Sequence, residues 1–157
     1  MPQRLLFDLD SIDVDRVVHG VAEIERVNPH RGEMRLLDAI VYSSHDESRY
    51  VAYHDAREDA FWVPGHIPGR PIMPGVLMVE AAAQLASFAT LTQMPEIEFM
   101  GFARLDDVSF RGQVKPGRRL YLLARMIELR KKRSICLAQG VVDGRVAVEC
   151  KITGMPM

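Results

Sequence analysis

A histidine, a carboxylate and the start of an apolar helix fall within fifteen residues of one another in this chain. The segment Gly65-His66-Ile67-Pro68-Gly69-Arg70-Pro71-Ile72-Met73-Pro74-Gly75-Val76 holds three prolines and three glycines. Such a loop is stiff and sharply turned, and it fixes a side chain with little entropy left to lose. His66 is the side chain so fixed, and imidazole is suited to moving a proton near neutral pH. Pro74 suits the first turn of a helix, so the N–H groups of Gly75 and Val76 fall among the unpaired donors at its positive end. Donors of that kind suit a carbonyl oxygen that gains negative charge during a reaction, and Gly75 lets a ligand approach closely. Glu80, Gln84 and Ser87 follow at spacings of four and three, on one face of the helix. A carboxyl group on an otherwise apolar helix is expected to be buried, and therefore protonated, hydrogen-bonded or beside a cation, as a general acid is. Taken singly, His66 is equally accounted for as a hydrogen-bonded loop residue, and Glu80 as the buried partner of an arginine. Their conjunction across a helix N-terminus points to acid–base chemistry at a carbonyl compound.

The elements that must position these groups follow from hydrophobic spacing. Val76 to Leu91 is the most apolar stretch, shorter than a membrane span and interrupted by Glu80 and Gln84, so it reads as a buried helix. Arg16 to Val27 has apolar residues at helical spacing, with Gly20 weakening the pattern. Leu36 to Ser43 and Ser48 to Asp55 read as two strands around the polar turn Ser44-His45-Asp46-Glu47. Ile97 to Phe110 and Arg119 to Arg130 read as long strands separated by Val114-Lys115-Pro116-Gly117. After Asp143-Gly144, a strong hairpin signal, Val146, Val148, Cys150 and Ile152 alternate with more polar residues. The result is an α+β domain spanning 1–157, one antiparallel sheet with a single apolar helix laid on it. One sheet covers only one side of such a helix, so a second copy of the chain is expected over the other.

Composition narrows the function classes. The chain has 157 residues, 48% hydrophobic and 26% charged, which fits one domain with a sizeable core. Twenty basic and twenty-one acidic residues leave a net charge of -1, without the field of a nucleic-acid or anionic-membrane binder. Cys136 and Cys150 show neither a disulfide framework nor zinc spacing, and His19, His30, His45 and His54 form no HxH or HExxH pattern. No metal or cofactor is expected. The N-terminus carries acids among its apolar residues and lacks the run of a signal peptide, so a cytoplasmic location is expected.

The run GHIPGRPIMPGVLMVEAAAQ closely resembles the signature of the FabZ and FabA type 3-hydroxyacyl-acyl-carrier-protein dehydratases: a His-x-x-Gly-x-Pro-x-x-Pro-Gly loop, then an acid and a glutamine on a central helix. The resemblance extends upstream to Pro29-His30-Arg31 and downstream to Phe110-Arg111 and Val114-Lys115-Pro116-Gly117. It implies a hotdog fold, a curled antiparallel sheet around one long helix, assembled as homodimers and often as trimers of dimers. It implies His66 as the catalytic histidine, Glu80 as the acid contributed by the partner subunit's helix, Gly75 with Val76 as the thioester-binding helix start, and Gln84 as an orienting neighbour. Glutamate rather than aspartate at position 80 is the FabZ pattern, without isomerisation. The chain departs from the pattern at Ile67, usually Phe, and at Asp107, usually basic.

The reaction implied is loss of water from a 3-hydroxyacyl thioester on acyl carrier protein, giving a trans-2-enoyl thioester for fatty acid or related lipid synthesis. Neutral His66 would take the C2 proton, the Gly75 N–H would hold the enolate oxygen, and protonated Glu80 would assist departure of the hydroxyl. Arg111, Lys115, Arg118, Arg119 and the run Arg130-Lys131-Lys132-Arg133 are the expected contacts for an acidic carrier. Two other readings stand beside this one. A hotdog acyl thioesterase would direct water at the carbonyl from the same helix end. A non-catalytic acyl-carrier or acyl-chain binding subunit would need neither His66 nor Glu80.

Overall fold

In the computed structural model, which describes residues 3–157, two α-helices and six strands follow one another along the chain, with one 3₁₀ turn at Gly32–Met34. They are α1 (Val21–Val27), β1 (Ala39–Ser43), β2 (Arg49–Asp55), α2 (Gly75–Gln93), β3 (Met100–Phe110), β4 (Arg119–Arg130), β5 (Arg133–Val142) and β6 (Arg145–Pro156). The strands form one antiparallel sheet in the order β1-β2-β4-β5-β6-β3, curled around α2. This is the α+β hotdog arrangement expected from sequence.

The central strands are buried on both faces. Leu120, Leu122 and Ala124 of β4 face the helix, and Leu123 between them faces the opposite side. That side is covered by the N-terminal segment, where Leu5, Leu6, Phe7, Leu9, Ile12 and Val14 pack against Val41, Val51, Leu123 and Val141. Double coverage explains why β4 reads as a nearly continuous apolar run. The long β4–β5 and β5–β6 hairpins turn tightly, the latter with Asp143 and Gly144 both in the left-handed region at φ 50° and 73°.

Several boundaries differ from the sequence expectations. α1 begins only at Val21, because Gly20 is extended and its N–H donates to Glu23 Oε2 at 3.0 Å. The residues before it are not helical: Val18 and His19 donate to the Ile40 carbonyl at 2.8 and 3.1 Å. β1 starts at Ala39 rather than Leu36, and β3 at Met100 rather than Ile97. Lys131-Lys132 is the β4–β5 turn, and the β5 strand beyond it carries small residues, Cys136, Ala138 and Gly140, where it faces inward. A Cβ on Gly140 would lie 2.8 Å from Val148 Cγ1.

The covering of α2 also needs correction. At 19 residues α2 is long and apolar enough to cross a membrane by length and composition, yet most of it is buried in the protein. The sheet takes one side, while Ile24, Leu36, Leu37, Trp62 and Met73 from the same chain close over others. Apart from half-buried Leu77 and the helix ends, what stays uncovered is one stripe: Val76 is 72% exposed, and Glu80, Ala83 and Ser87 are half-buried. These positions follow at four, three and four residues, so they form a single line along the helix.

Candidate active site

The loop before α2 is held by its own backbone. Trp62 accepts the His66 N–H at 2.9 Å, Ile67 accepts that of Arg70 at 3.0 Å, and Val114 accepts that of Met73 at 2.8 Å. Gly69 turns the chain at φ 77°. The His66 ring is exposed, and its Nδ1 lies 2.8 Å from the Ile72 carbonyl oxygen. A carbonyl accepts only, so Nδ1 carries the proton in that contact and the neutral ring keeps its free lone pair on Nε2. The stiff loop thus presents Nε2 as a proton acceptor.

At the start of α2, Pro74 accepts from Leu77 and Met78 at 3.0 and 3.4 Å. The N–H groups of Gly75 and Val76 belong to the first turn and have no acceptor inside the helix. His66, Pro74, Gly75 and Val76 line one open cavity of about 400 Å³. Phe110 also lines it, and a Cβ at position 75 would meet the Phe110 ring at 2.8 and 2.9 Å. What the glycine admits in this structure is the Phe110 ring, itself 54% exposed. Sequence alone offered Phe110 only as part of the family resemblance.

Glu80 opens onto a different cavity, about 220 Å³, which runs along α2 past Ala83, Ser87 and Thr90 to Met100 and Ser134. Its side chain is 28% accessible rather than fully buried, because it stands on the uncovered stripe. Gln84 Nε2 donates to Glu80 Oε1 at 2.9 Å and to the Met34 carbonyl at 2.7 Å, and Gln84 Oε1 accepts from the Leu36 N–H at 2.8 Å. Gln84 is only 1% exposed. Gln84→Leu strands a buried donor on Leu36 and an acceptor on Met34. The loss expected in urea unfolding is about 1–3 kcal/mol, the cost of the unmet Leu36 donor, because Met34 is 48% exposed.

One chain therefore does not bring His66 and Glu80 together, since the two cavities share no lining residue. The structure adds a histidine that spacing arguments had set aside. His30 Nε2 lies 3.4 Å from Glu80 Oε1, and the ring lines the Glu80 cavity. The basic residues also sort differently from expectation. Arg111 donates to Glu149 at 2.9 and 2.6 Å, and Arg119 forks onto Asp55 at 2.7 and 3.0 Å. Arg118 lies 3.6 Å from Asp143, and Arg130 and Arg133 pair with Glu128. Lys115 and Arg70, both exposed, share a groove with Ile72 and Gln113 that adjoins the His66 cavity. Among the described residues neither has an ion-pair partner.

The pattern of a FabA-like domain matches residues 28–151. The chain is 38% identical over 137 residues to the 3-hydroxyacyl-acyl-carrier-protein dehydratase FabZ of Clostridium perfringens strain SM101, covering 85% of this chain and 95% of the relative. Its identity to the FabZ of Clostridium novyi strain NT is 36%, over 85% of this chain and 94% of the relative. Among solved structures, the dehydratase heterocomplex ApeI:P from Xenorhabdus doucetiae superposes with a TM-score of 0.73 at 16% identity, over 85% of this chain and 90% of that one.

Proposed function

Because the chain belongs to the FabA-like dehydratase family, we propose that it removes water from a 3-hydroxyacyl thioester presented on acyl carrier protein, with His66 as base and Glu80 as acid. The observation that carries the residue assignment is the Ile72 contact, which leaves His66 Nε2 free beside the open N–H groups of the helix start. The thioester oxygen accepts from Gly75 or Val76, which stabilises the charge that builds on it as His66 Nε2 takes the C2 proton. The C3–O bond then breaks, Glu80 in its acid form gives its proton to the departing hydroxyl, and water and a trans-2-enoyl thioester leave. Transfer of the proton from imidazolium back to the Glu80 carboxylate resets the site.

The site is shared between two chains. The support is that His66 and Glu80 face separate cavities in one chain, while Glu80 lies on the stripe of α2 that the chain leaves open. The edge strand β3 supports the same assembly, with eleven residues and Phe102, Leu105 and Phe110 exposed. An edge strand leaves a row of backbone N–H and C=O groups open to a second strand, here with Arg104, Asp106 and Asp107 and two bulges set among the apolar residues. A homodimer is the active unit, with the trimer of dimers as its further assembly. The protein acts in bacterial-type fatty acid or related lipid synthesis in the cytoplasm.

Arg70 and Lys115 form the carrier-docking pair, being the cations next to the His66 cavity that make no ion pair among the described residues, although Glu58 lines the same groove. Reversing both to glutamate is expected to raise KM for carrier-bound substrate by roughly tenfold at low salt and to spare short free thioesters. Equal loss on both substrates contradicts the docking role. For the function itself, a 3-hydroxyacyl thioester should yield enoyl absorbance without thiol release. Thiol release without enoyl product would favour the thioesterase, and binding without turnover a carrier-binding subunit.

A further inference from the structure

We propose that His30 is a positioning residue for Glu80, donating from Nε2 to Oε1 together with Gln84 and leaving Oε2 as the oxygen that delivers the proton. The inference rests on Glu80 being the acid proposed above. Its geometric basis is that both neighbours converge on the same oxygen: Gln84 Nε2 hydrogen-bonds it at 2.9 Å, and His30 Nε2 stands 3.4 Å away, a contact that closes to a hydrogen bond on a shift of a few tenths of an ångström. A carboxyl oxygen that accepts twice acts as the carbonyl-like oxygen, so the acidic proton belongs on the other.

The His30 ring favours the tautomer this requires. Nδ1 is buried with no hydrogen-bond partner among the described residues, so a proton placed there would be an unmet buried donor. A lone pair in that place is the lesser cost, which puts the proton on Nε2, facing Glu80. Glu80 and Arg31 are the charged groups that act on the ring. Burial pulls its pKa below the ordinary imidazole range, Glu80 pulls it up and Arg31 down, the net direction favouring the neutral donor.

The segment carrying His30 is fastened to the helix carrying Glu80, as a positioning role demands. Asn28, 3% exposed, donates from Nδ2 to the Gln84 carbonyl at 2.8 Å. Arg31 closes the turn by donating to the carbonyls of Asn28 and His30 at 2.8 Å and of Glu25 at 2.6 Å. Pro29 stiffens the link between them. The ring and the carboxyl therefore share one frame, and the contact does not depend on a mobile loop.

The test is a double-mutant cycle in the full-length enzyme with a 3-hydroxyacyl thioester, reading kcat and KM by enoyl absorbance and folding by thermal melting. His30→Leu fills the space without a donor and should lower kcat about tenfold, the scale of one lost hydrogen bond, with KM little changed. Glutamine places its Nε2 where the imidazole has its own, so His30→Gln should recover most of that loss. Adding His30→Leu to Glu80→Gln should cost nothing further, since its effect runs through the carboxyl. Should the leucine variant not fold, His30→Asn replaces it, because its amide stops short of Glu80. Wild-type kcat in the donor-free variant, equal loss with and without the glutamine donor, or losses that multiply in the double mutant each overturn the proposal. Wild-type turnover in Glu80→Gln alone would instead overturn the assignment of the acid.

Discussion

Replacing Glu80 with glutamine is expected to lower the dehydration rate by roughly 100-fold or more, the usual scale for removing a general acid. The substitution preserves length and shape, and an amide oxygen still accepts from Gln84 Nε2, which lies 2.9 Å from Glu80 Oε1. What is lost is the transferable proton. Binding should therefore change little, and the loss should fall on kcat, as for an interaction made only in the transition state. Where elimination is stepwise, exchange of the C2 proton with solvent survives in this variant. A rate equal to wild type would mean that Glu80 serves only to hold Gln84 and the 28–36 segment in place.

The second large effect belongs to His66. His66→Ala should reduce both dehydration and C2 exchange to background, because the same Nε2 lone pair starts both. The Ile72 contact makes the expectation sharper. The loop is held by backbone bonds from Trp62, Ile67 and Val114, not by the ring, so the substitution removes the base without removing the loop. Melting temperature should stay near that of wild type, since an exposed side chain with one local hydrogen bond contributes little to stability. A large fall in melting temperature would show that the histidine is part of the scaffold.

Much of the architecture is readable in the chain because its signals are local. β4 was expected over Arg119–Arg130 and occupies those residues, and the Asp143-Gly144 turn closes the hairpin it announces. The apolar helix was expected from Val76 and begins one residue earlier. β5 is implied by that hairpin signal but receives no bounds from sequence, because its inward side chains are small and its outer face holds a buried Gln139, which accepts from the Leu6 N–H at 2.8 Å. Its strand character comes from two neighbours rather than from its own pattern. The N-terminal segment covering the outer face was equally hidden, since nothing local says which surface its leucines will meet.

The candidate site divides in the same way. Loop, helix start and the Glu80–Gln84 pair all lie in one continuous stretch, and spacing placed them. His30 comes fifty residues before Glu80 in sequence, and only the fold sets it 3.4 Å from the carboxyl. Salt bridges were also beyond reach: Arg111 and Arg119 looked like free cations until their partners Glu149 and Asp55 came to them across neighbouring strands. The expectation that α2 needs a second copy to cover one whole side was too strong, because loop residues from the same chain do most of that work. The open stripe that remains is narrow, and it is the stripe that holds Glu80.

The central claim, a site assembled from His66 of one chain and Glu80 of another, is tested most directly by mixing two inactive variants. His66→Ala and Glu80→Ala are purified separately, combined under conditions that exchange subunits, and assayed with a 3-hydroxyacyl thioester, with mass labelling to verify exchange. A mixed dimer holds one site lacking both groups and one site with both intact. Random exchange in a two-fold dimer should therefore restore about one quarter of wild-type activity. No recovery, with mixed dimers present, would contradict the shared site and require both groups to act within a single chain.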